Sequence, residues 1–315
     1  MDSNFQEKID ALVSSLSPTI LKQASQILSS TYREKHSSQS IFSNEAQTLS
    51  YLAARFPATF AATSYVLKEL LAQIPHFSCE KLLDLGAGPA TASLAALSTF
   101  PKLSQITLIE KSLGAIALGK QLLSDGEWIC KSLQEMTLFP DADLAIAAYC
   151  LNEIHLIEPI LEALWKSDVK TIAIIEPGTP AGYKTILRAR NQLLSLGGSI
   201  LAPCPHAKAC PLKSPDWCHF STRLERTKLH KLLKGGSLGF EDEKFSYLIV
   251  TKKNTSPPTY SRILRHPGKG SGHVRLNLCT ERGTQEERVV SRKEGDLYRN
   301  ARDAKWGDSI NCTSS

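Results

Sequence analysis

The stretch Leu82–Leu94, LLDLGAGPATASL, constrains this chain more than any other. Leu82, Leu83 and Leu85 form a short apolar strand, with Asp84 where the strand ends. Gly86 and Gly88 can adopt positive φ and let a ligand approach bare backbone. Thr91–Leu97 then reads as a helix whose first N–H groups and positive dipole end face the turn. A strand, a glycine turn and a helix in that order suit a polar, adenosine-containing cofactor lying across the strand ends.

The next unit narrows the cofactor. Gln105–Glu110, QITLIE, is a second strand ending in an acid, 24 residues after Gly86. An acid at that place can accept hydrogen bonds from both ribose hydroxyls. D-x-G-x-G followed by this acid is similar to the S-adenosylmethionine (SAM) binding half of a class I methyltransferase. The third glycine position of G-x-G-x-x-G, which a nicotinamide enzyme would favour, is missing. Asp84, Gly86, Ala87, Gly88 and Glu110 are therefore the candidate cofactor-binding residues.

From Lys81 onward strand and helix alternate regularly, which predicts a mostly parallel sheet. Strands are expected near Lys81–Leu85, Ile106–Glu110, Glu127–Cys130, Asp143–Tyr149, Thr171–Glu176 and Phe245–Lys252, with helices at Gly114–Leu123, Ile157–Trp165 and Lys184–Leu196. The fold class is α/β, a class I SAM-methyltransferase (Rossmann-like) sheet with an N-terminal helical region and a small basic β-rich C-terminal appendage. The expected divisions are 1–78 helical, 79–254 methyltransferase-like with a Cys-rich insertion at 202–220, and 255–315 the appendage. Within the helical region, Phe5–Leu16, Pro18–Leu28 and Glu45–Leu71 carry apolar residues at helical spacing, with Pro57 as a break or kink. Tyr149–Ile154, YCLNEI, follows the fourth strand, where the reacting methyl group lies in SAM-dependent folds. Asn152 there reads first as a helix cap. Ile175–Gly178, IEPG, closes the fifth strand at the same edge.

Charge is divided along the chain. Ala181–Ser315 holds 24 Lys+Arg against 12 Asp+Glu, leaving 13 against 19 of the chain's 37 and 31 for the preceding part. A basic distal half is the electrostatic footprint of a phosphate-backbone partner. No apolar run is long enough to span a membrane. The N-terminus MDSNFQEKID has neither a secretory signal nor an Arg-rich transit pattern. A cytoplasmic, monomeric protein with unpaired cysteines is expected.

Ala202–Phe220, APCPHAKACPLKSPDWCHF, groups three Cys, two His and four Pro. Cys204, Cys210 and Cys218, spaced C-x5-C-x7-C on a proline-stiffened loop, suit zinc or an iron–sulfur cluster. A fourth ligand must come from elsewhere: His206 or His219 for zinc, or Cys279 for a thiolate-only site. Cys79, Cys130 and Cys150 read as packing. Arg223, Arg226, Lys228, Lys231 and Lys234 read as a basic helix ending at Gly235-Gly236. His273–Cys279 and Arg288–Ser291 read as strands, and Asp296–Lys305 as a final basic helix followed by Trp306.

CPHAKACPL, DWCHFSTRLERTKLHK and EDEKFSYL, with the later CT and YRNARDAKWGD, closely resemble the Rsm-twenty-two family, from about Ala46 to Asp308. The resemblance implies a class I SAM-type fold with a basic C-terminal region that acts on, or assembles with, small-subunit ribosomal RNA (rRNA). It implies that Cys204, Cys210, Cys218 and Cys279 hold a 4Fe–4S cluster, with zinc as the alternative. It also places the SAM turn on Asp84–Ala90 and the ribose acid on Glu110. The absent presequence implies a bacterial member. The N-P-P-[YF] tetrad of amino-methylating enzymes is missing, so no catalytic residue is named. Two functions follow as expectations: a SAM-dependent rRNA methyltransferase, or a non-catalytic small-subunit assembly factor.

Overall fold

The computed structural model describes residues 3–33, 44–255 and 259–311. Four helices come first: α1 (Ser3–Val13), α2 (Pro18–Arg33), α3 (Glu45–Ala54) and α4 (Phe56–Gln73). The break in the long apolar pattern falls at Arg55. Pro57 sits in the first turn of α4, where its missing N–H costs nothing. Parts of the two expected N-terminal helices extend into residues whose side chains lie outside the described set.

A sheet follows, built from β1 (Lys81–Leu85), β2 (Gln105–Glu110), β3 (Glu127–Cys130), β4 (Ala142–Ala148), β5 (Val169–Pro177), β6 (Ser199–Ala202), β7 (Phe220–Glu225) and β8 (Phe240–Thr251). Its order is β3-β2-β1-β4-β5-β8-β6, with β7 also on β8. The first five strands are parallel, and β8 enters antiparallel to β5. The order reverses beside β1, so the chain leaves β1 and β4 in opposite directions and a crevice opens at their carboxyl ends. This is the class I methyltransferase architecture. Helices α5 (Thr91–Leu97), α6 (Leu113–Leu122), α7 (Glu158–Lys166) and α8 (Pro180–Ser195) connect the strands. Two apolar layers cover the faces: one joins α4 to Leu82, Leu108, Ile146 and Tyr247, the other joins α7 and α8 to Leu83, Ala145, Ile174 and Leu248. α1–α3 pack on α5, α6 and Leu233.

Residues 220–234 correct the basic-helix expectation. Phe220–Glu225 is a strand, and only α9 (Lys228–Lys234) is helical. Arg223 faces Asp242 across the β7–β8 register and bonds it at 2.8 and 3.0 Å. Arg226, His230 and Lys234 converge on Glu241 at 3.1, 3.2 and 2.7 Å. Several of the cations counted as an RNA-facing helix are thus tied to the acidic trio of β8.

β6 and β7 occupy the two ends of one edge of β8, pairing with 249–251 and 240–245. The gap between them is filled by the loop 203–219, and Ser246 Oγ donates to the Cys218 carbonyl at 2.8 Å. A second sheet, β9 (Ser261–Ile263), β10 (Gly268–Lys269), β11 (His273–Cys279), β12 (Gln285–Ser291) and β13 (Ser309–Ile310), encloses its own small core with α10 (Asp296–Asp303). The final helix ends before Lys305. No helix among the described residues is long and apolar enough to cross a membrane.

Arg262 on β9 joins these parts. Its side chain is 2% exposed and donates to Glu69 of α4 at 2.9 Å, Pro203 O at 3.0 Å, Gly307 O at 2.7 Å and Tyr260 Oη at 3.1 Å. Removing one member of such a buried pair typically costs about 3–5 kcal/mol. Arg262→Met, which removes these four bonds, is expected to lower stability by about 3 kcal/mol. Limited proteolysis should then cut the region after 259 before the main sheet. Retained stability with unchanged cleavage would mean the joint is held elsewhere.

Candidate functional site

The glycine turn sits at the carboxyl end of β1, facing the crevice. Gly86 and Gly88 have φ of +63° and +53°, and Ala90 enters α5 at +65°. A side chain at Gly86 would meet Cys150 Cβ at 2.6 Å, so the turn is pressed against the end of β4. Cys150 is therefore packing, as expected, with its thiol 3.1 Å from Leu85 O. Cys79 is buried, whereas Cys130 is exposed, which corrects the packing reading for that residue.

Asp84 is tied to the start of α5 through one carboxylate oxygen. It is 1% exposed, and its carboxylate accepts from Ser93 N at 3.0 Å and Ser93 Oγ at 2.6 Å, holding the first turn of α5 from beneath. Burial pushes its pKa up to about 6, against the lowering effect of the Ser93 bonds. Glu110 closes the other side. It accepts from Gly88 N at 2.9 Å and Ser112 N at 2.8 Å. Each of its oxygens keeps a further lone pair for a hydroxyl. Ala87 N donates to Ile109 O at 3.1 Å, so β2 fixes the turn through backbone as well.

The crevice continues at the ends of β4 and β5. Tyr149 has φ of +59°, a conformation costing about 1–3 kcal/mol for a non-glycine residue. Tyr149 Oη donates to Glu243 at 3.1 Å, and Arg55 lies 3.8 Å from the same carboxylate. Asn152 is no cap; the short 3-10 turn Leu151–Glu153 has no side-chain cap bond. Its N–H groups are met instead by Glu176, which accepts from Leu151 N at 2.9 Å and Asn152 N at 3.2 Å. Glu176 is fully buried, and its second oxygen has no partner among the described residues. Burial pushes its pKa up to about 8, although the two backbone bonds lower it and Glu153 raises it further.

The three loop cysteines and Cys279 line one cavity, together with Tyr183 and Arg190 of α8. Tyr183 Oη lies 3.1 Å from Cys210 Sγ, and Cys279 Sγ lies 3.3 Å from His206 Nε2. Arg190 donates to the carbonyls of His206 and Lys208 at 2.9 and 2.6 Å. Burial holds the Cys204 and Cys218 thiols above their ordinary range and pushes Cys279 up to about 12, with mutual repulsion of the sulfurs adding to it. Among the described residues no three His, Cys, Asp or Glu side chains are arranged to hold a metal ion. His206 stands beside Cys279, but His219 is stacked on Trp217 at 5.1 Å between ring centroids, with Trp306 against its edge at 4.5 Å. Tyr183, Arg190, Arg262 and Glu176 carry no motif. Only Glu176 had a signal, its place in IEPG at the strand end.

Because the fold favours protonated Glu176, its stabilising contribution is complete below pH 4.5 and is lost as pH rises through about 8. Glu176→Gln keeps an acceptor for both N–H groups and cannot ionise. The wild type should lose thermal stability relative to this variant progressively between pH 4.5 and about 8, and no further above that. The unpartnered Gln amide shifts the absolute level, so the slope is what melting curves must read. Parallel pH profiles would contradict this assignment.

Residues 45–311 match the family model described as mitochondrial small ribosomal subunit Rsm22. The chain is 27% identical over 320 residues to the human mitochondrial ribosome assembly protein METTL17, covering 94% of this chain and 69% of that protein. It is 26% identical over 326 residues to the Schizosaccharomyces pombe Rsm22-cox11 tandem protein 2, covering 84% of this chain and 43% of that protein. The Saccharomyces cerevisiae mitochondrial ribosome assembly protein RSM22 is 24% identical over 238 residues, 44% of this chain and 38% of its own length. The chain thus spans less than half the length of the two yeast relatives. Similar solved structures include the plantazolicin methyltransferase BpumL in complex with SAH, at 14% identity, TM-score 0.40, covering 80% and 100% of the two chains. Precorrin-6y C5,15-methyltransferase from Geobacter metallireducens has 16% identity and TM-score 0.41, covering 60% and 89%.

Proposed function

The chain belongs to the Rsm22 family, and on that premise we propose that it is a SAM-binding, methyltransferase-like factor that associates with small-subunit rRNA during ribosome assembly. The observation that carries this reading is what the buried acids at the crevice do. Asp84, Glu110 and Glu176 are each bound to backbone N–H groups. They brace the backbone turns around the crevice rather than lying open to it. Gly86, Ala87 and Gly88 would bring backbone to the cofactor, with Glu110 on its ribose hydroxyls and Asp84 supporting from below. The rRNA methyltransferase reading keeps one supporting observation, the strained Tyr149 at the end of β4.

We further propose that Cys204, Cys210, Cys218 and Cys279 hold a 4Fe–4S cluster. Four soft donors facing one cavity fit such a group. Neighbouring sulfurs are stable as thiolates only with positive charge among them, and Arg190 and Arg262 lower the cost at Cys204. Zinc is the alternative occupant, with His206 beside Cys279 as a nitrogen donor. The cluster would supply a covalent cross-link between the loop and β11.

Calorimetry with SAM, together with filter binding of small-subunit rRNA across a salt series, tests the functional reading. We expect saturable heat with SAM and an RNA affinity that falls steeply as salt rises. Absence of SAM heat, or a flat salt dependence, would overturn it. Methyl transfer from labelled SAM to rRNA would favour the catalytic reading.

A further inference from the structure

Resting on the rRNA reading above, we propose that aromatic and cationic side chains at the junction of the two sheets form a stacking platform for unpaired RNA bases beside the cofactor crevice. Trp217 stacks on His219, His219 meets Trp306 edge to face, and His266 meets Trp306 edge to face at 5.2 Å. Arg265 lies 5.9 Å from the Trp306 ring, and on β7 Arg223 covers Phe240 at 3.9 Å. Aromatic faces interleaved with cations suit single-stranded nucleic acid, because every base has a π-face and every linkage a phosphate.

The ribbon is also placed to serve the crevice. Trp217 Nε1 donates to Gly178 O at 3.0 Å, and Gly178 N donates to Lys244 O at 2.9 Å. Gly178 ends the IEPG turn, so Trp217 and the exposed Lys244 flank the edge where the cofactor would lie. Of the acids here, Asp216 and Asp242 are ion-paired, and the exposed Asp308 accepts from Lys305 N at 2.8 Å. Asp216 is bonded by Arg265, and Asp242 by Arg223. The Arg223 bond, with His266 and Lys244 nearby, holds the Asp242 carboxyl below its ordinary range. Lys244 and His266 are exposed, and no ion pair occupies either among the described residues. The exposed large aliphatic side chains Leu113, Leu156 and Val289 come from other parts of the chain, and Leu238 beside Phe240 is the one closest in sequence to this face.

The test uses the full chain, a labelled unstructured oligoribonucleotide of about 12 nucleotides, and an RNA duplex of the same length, read by fluorescence anisotropy. The double variant Lys244→Ala with His266→Ala touches neither the cofactor turn nor the cysteines. Its affinity for the single strand should fall about tenfold or more, the loss expected for a stacked base and a phosphate contact. Arg292→Ala with Lys293→Ala, exposed at the far end of β12, should bind as the wild type does. The wild type should also show tryptophan quenching by the single strand beyond that by the duplex. If the wild type binds the single strand but the double variant binds it equally, the platform is wrong while the rRNA reading stands. If the wild type binds neither RNA yet holds isolated small-subunit proteins, both fail and this face belongs to a protein.

Discussion

Four sulfur side chains and two guanidinium groups meet where β8 loses its edge partner, and the placement of the distal sheet depends on that meeting. β6 and β7 cannot pair along the whole of β8, so residues 246–248 leave an opening that the cysteine loop fills. Arg262 then bonds Pro203 of the loop, Glu69 of α4 and Gly307 near the end of the chain. An Arg side chain at 2% exposure is tolerable only with this many acceptors. Cys279, carried on β11, is brought to the loop cysteines by the same geometry, 61 residues after Cys218.

A different economy governs the crevice. Its buried acids are spent on backbone: Asp84 at the start of α5, Glu110 at Gly88, Glu176 under the 3-10 turn. Each satisfies N–H groups that a tight turn or helix start would otherwise leave bare. Such a site is preorganised to receive a ligand's polar edge. The β5 end is linked to the distal part through Gly178, held on one side by Lys244 and on the other by Trp217. The cysteine loop and the cofactor edge therefore share a wall.

Much of this was legible before any coordinates. The apolar strand before Gly86, the acid ending QITLIE and the apolar runs at β4 and β5 specify the parallel half, because buried parallel strands read as continuous apolar runs. The distal half was harder. STRLERTKLHKLLK places cations at helical spacing, yet residues 220–225 are a strand because β8 offers them an unpaired edge, a tertiary fact that local propensity does not contain. β6 is only four residues long and follows Gly197-Gly198, so its pattern is too short to read. Asp84 showed its position but not its partner: the strand end suggested a ligand contact, and Ser93 nine residues on binds one oxygen of the carboxylate. Arg262 looked like one more cation in a basic region, and only its burial reveals a joint.

The central claim is that the cysteine site fastens the distal sheet to the methyltransferase-like sheet. The most direct measurement is iron and sulfide content after anaerobic purification, made on the wild type and on Cys279→Ser alongside limited proteolysis. The account predicts about four irons per chain in a brown wild-type protein. In Cys279→Ser it predicts loss of cluster and cleavage confined to the region after 259. A colourless protein holding one zinc, with the variant equally resistant to protease, would contradict it.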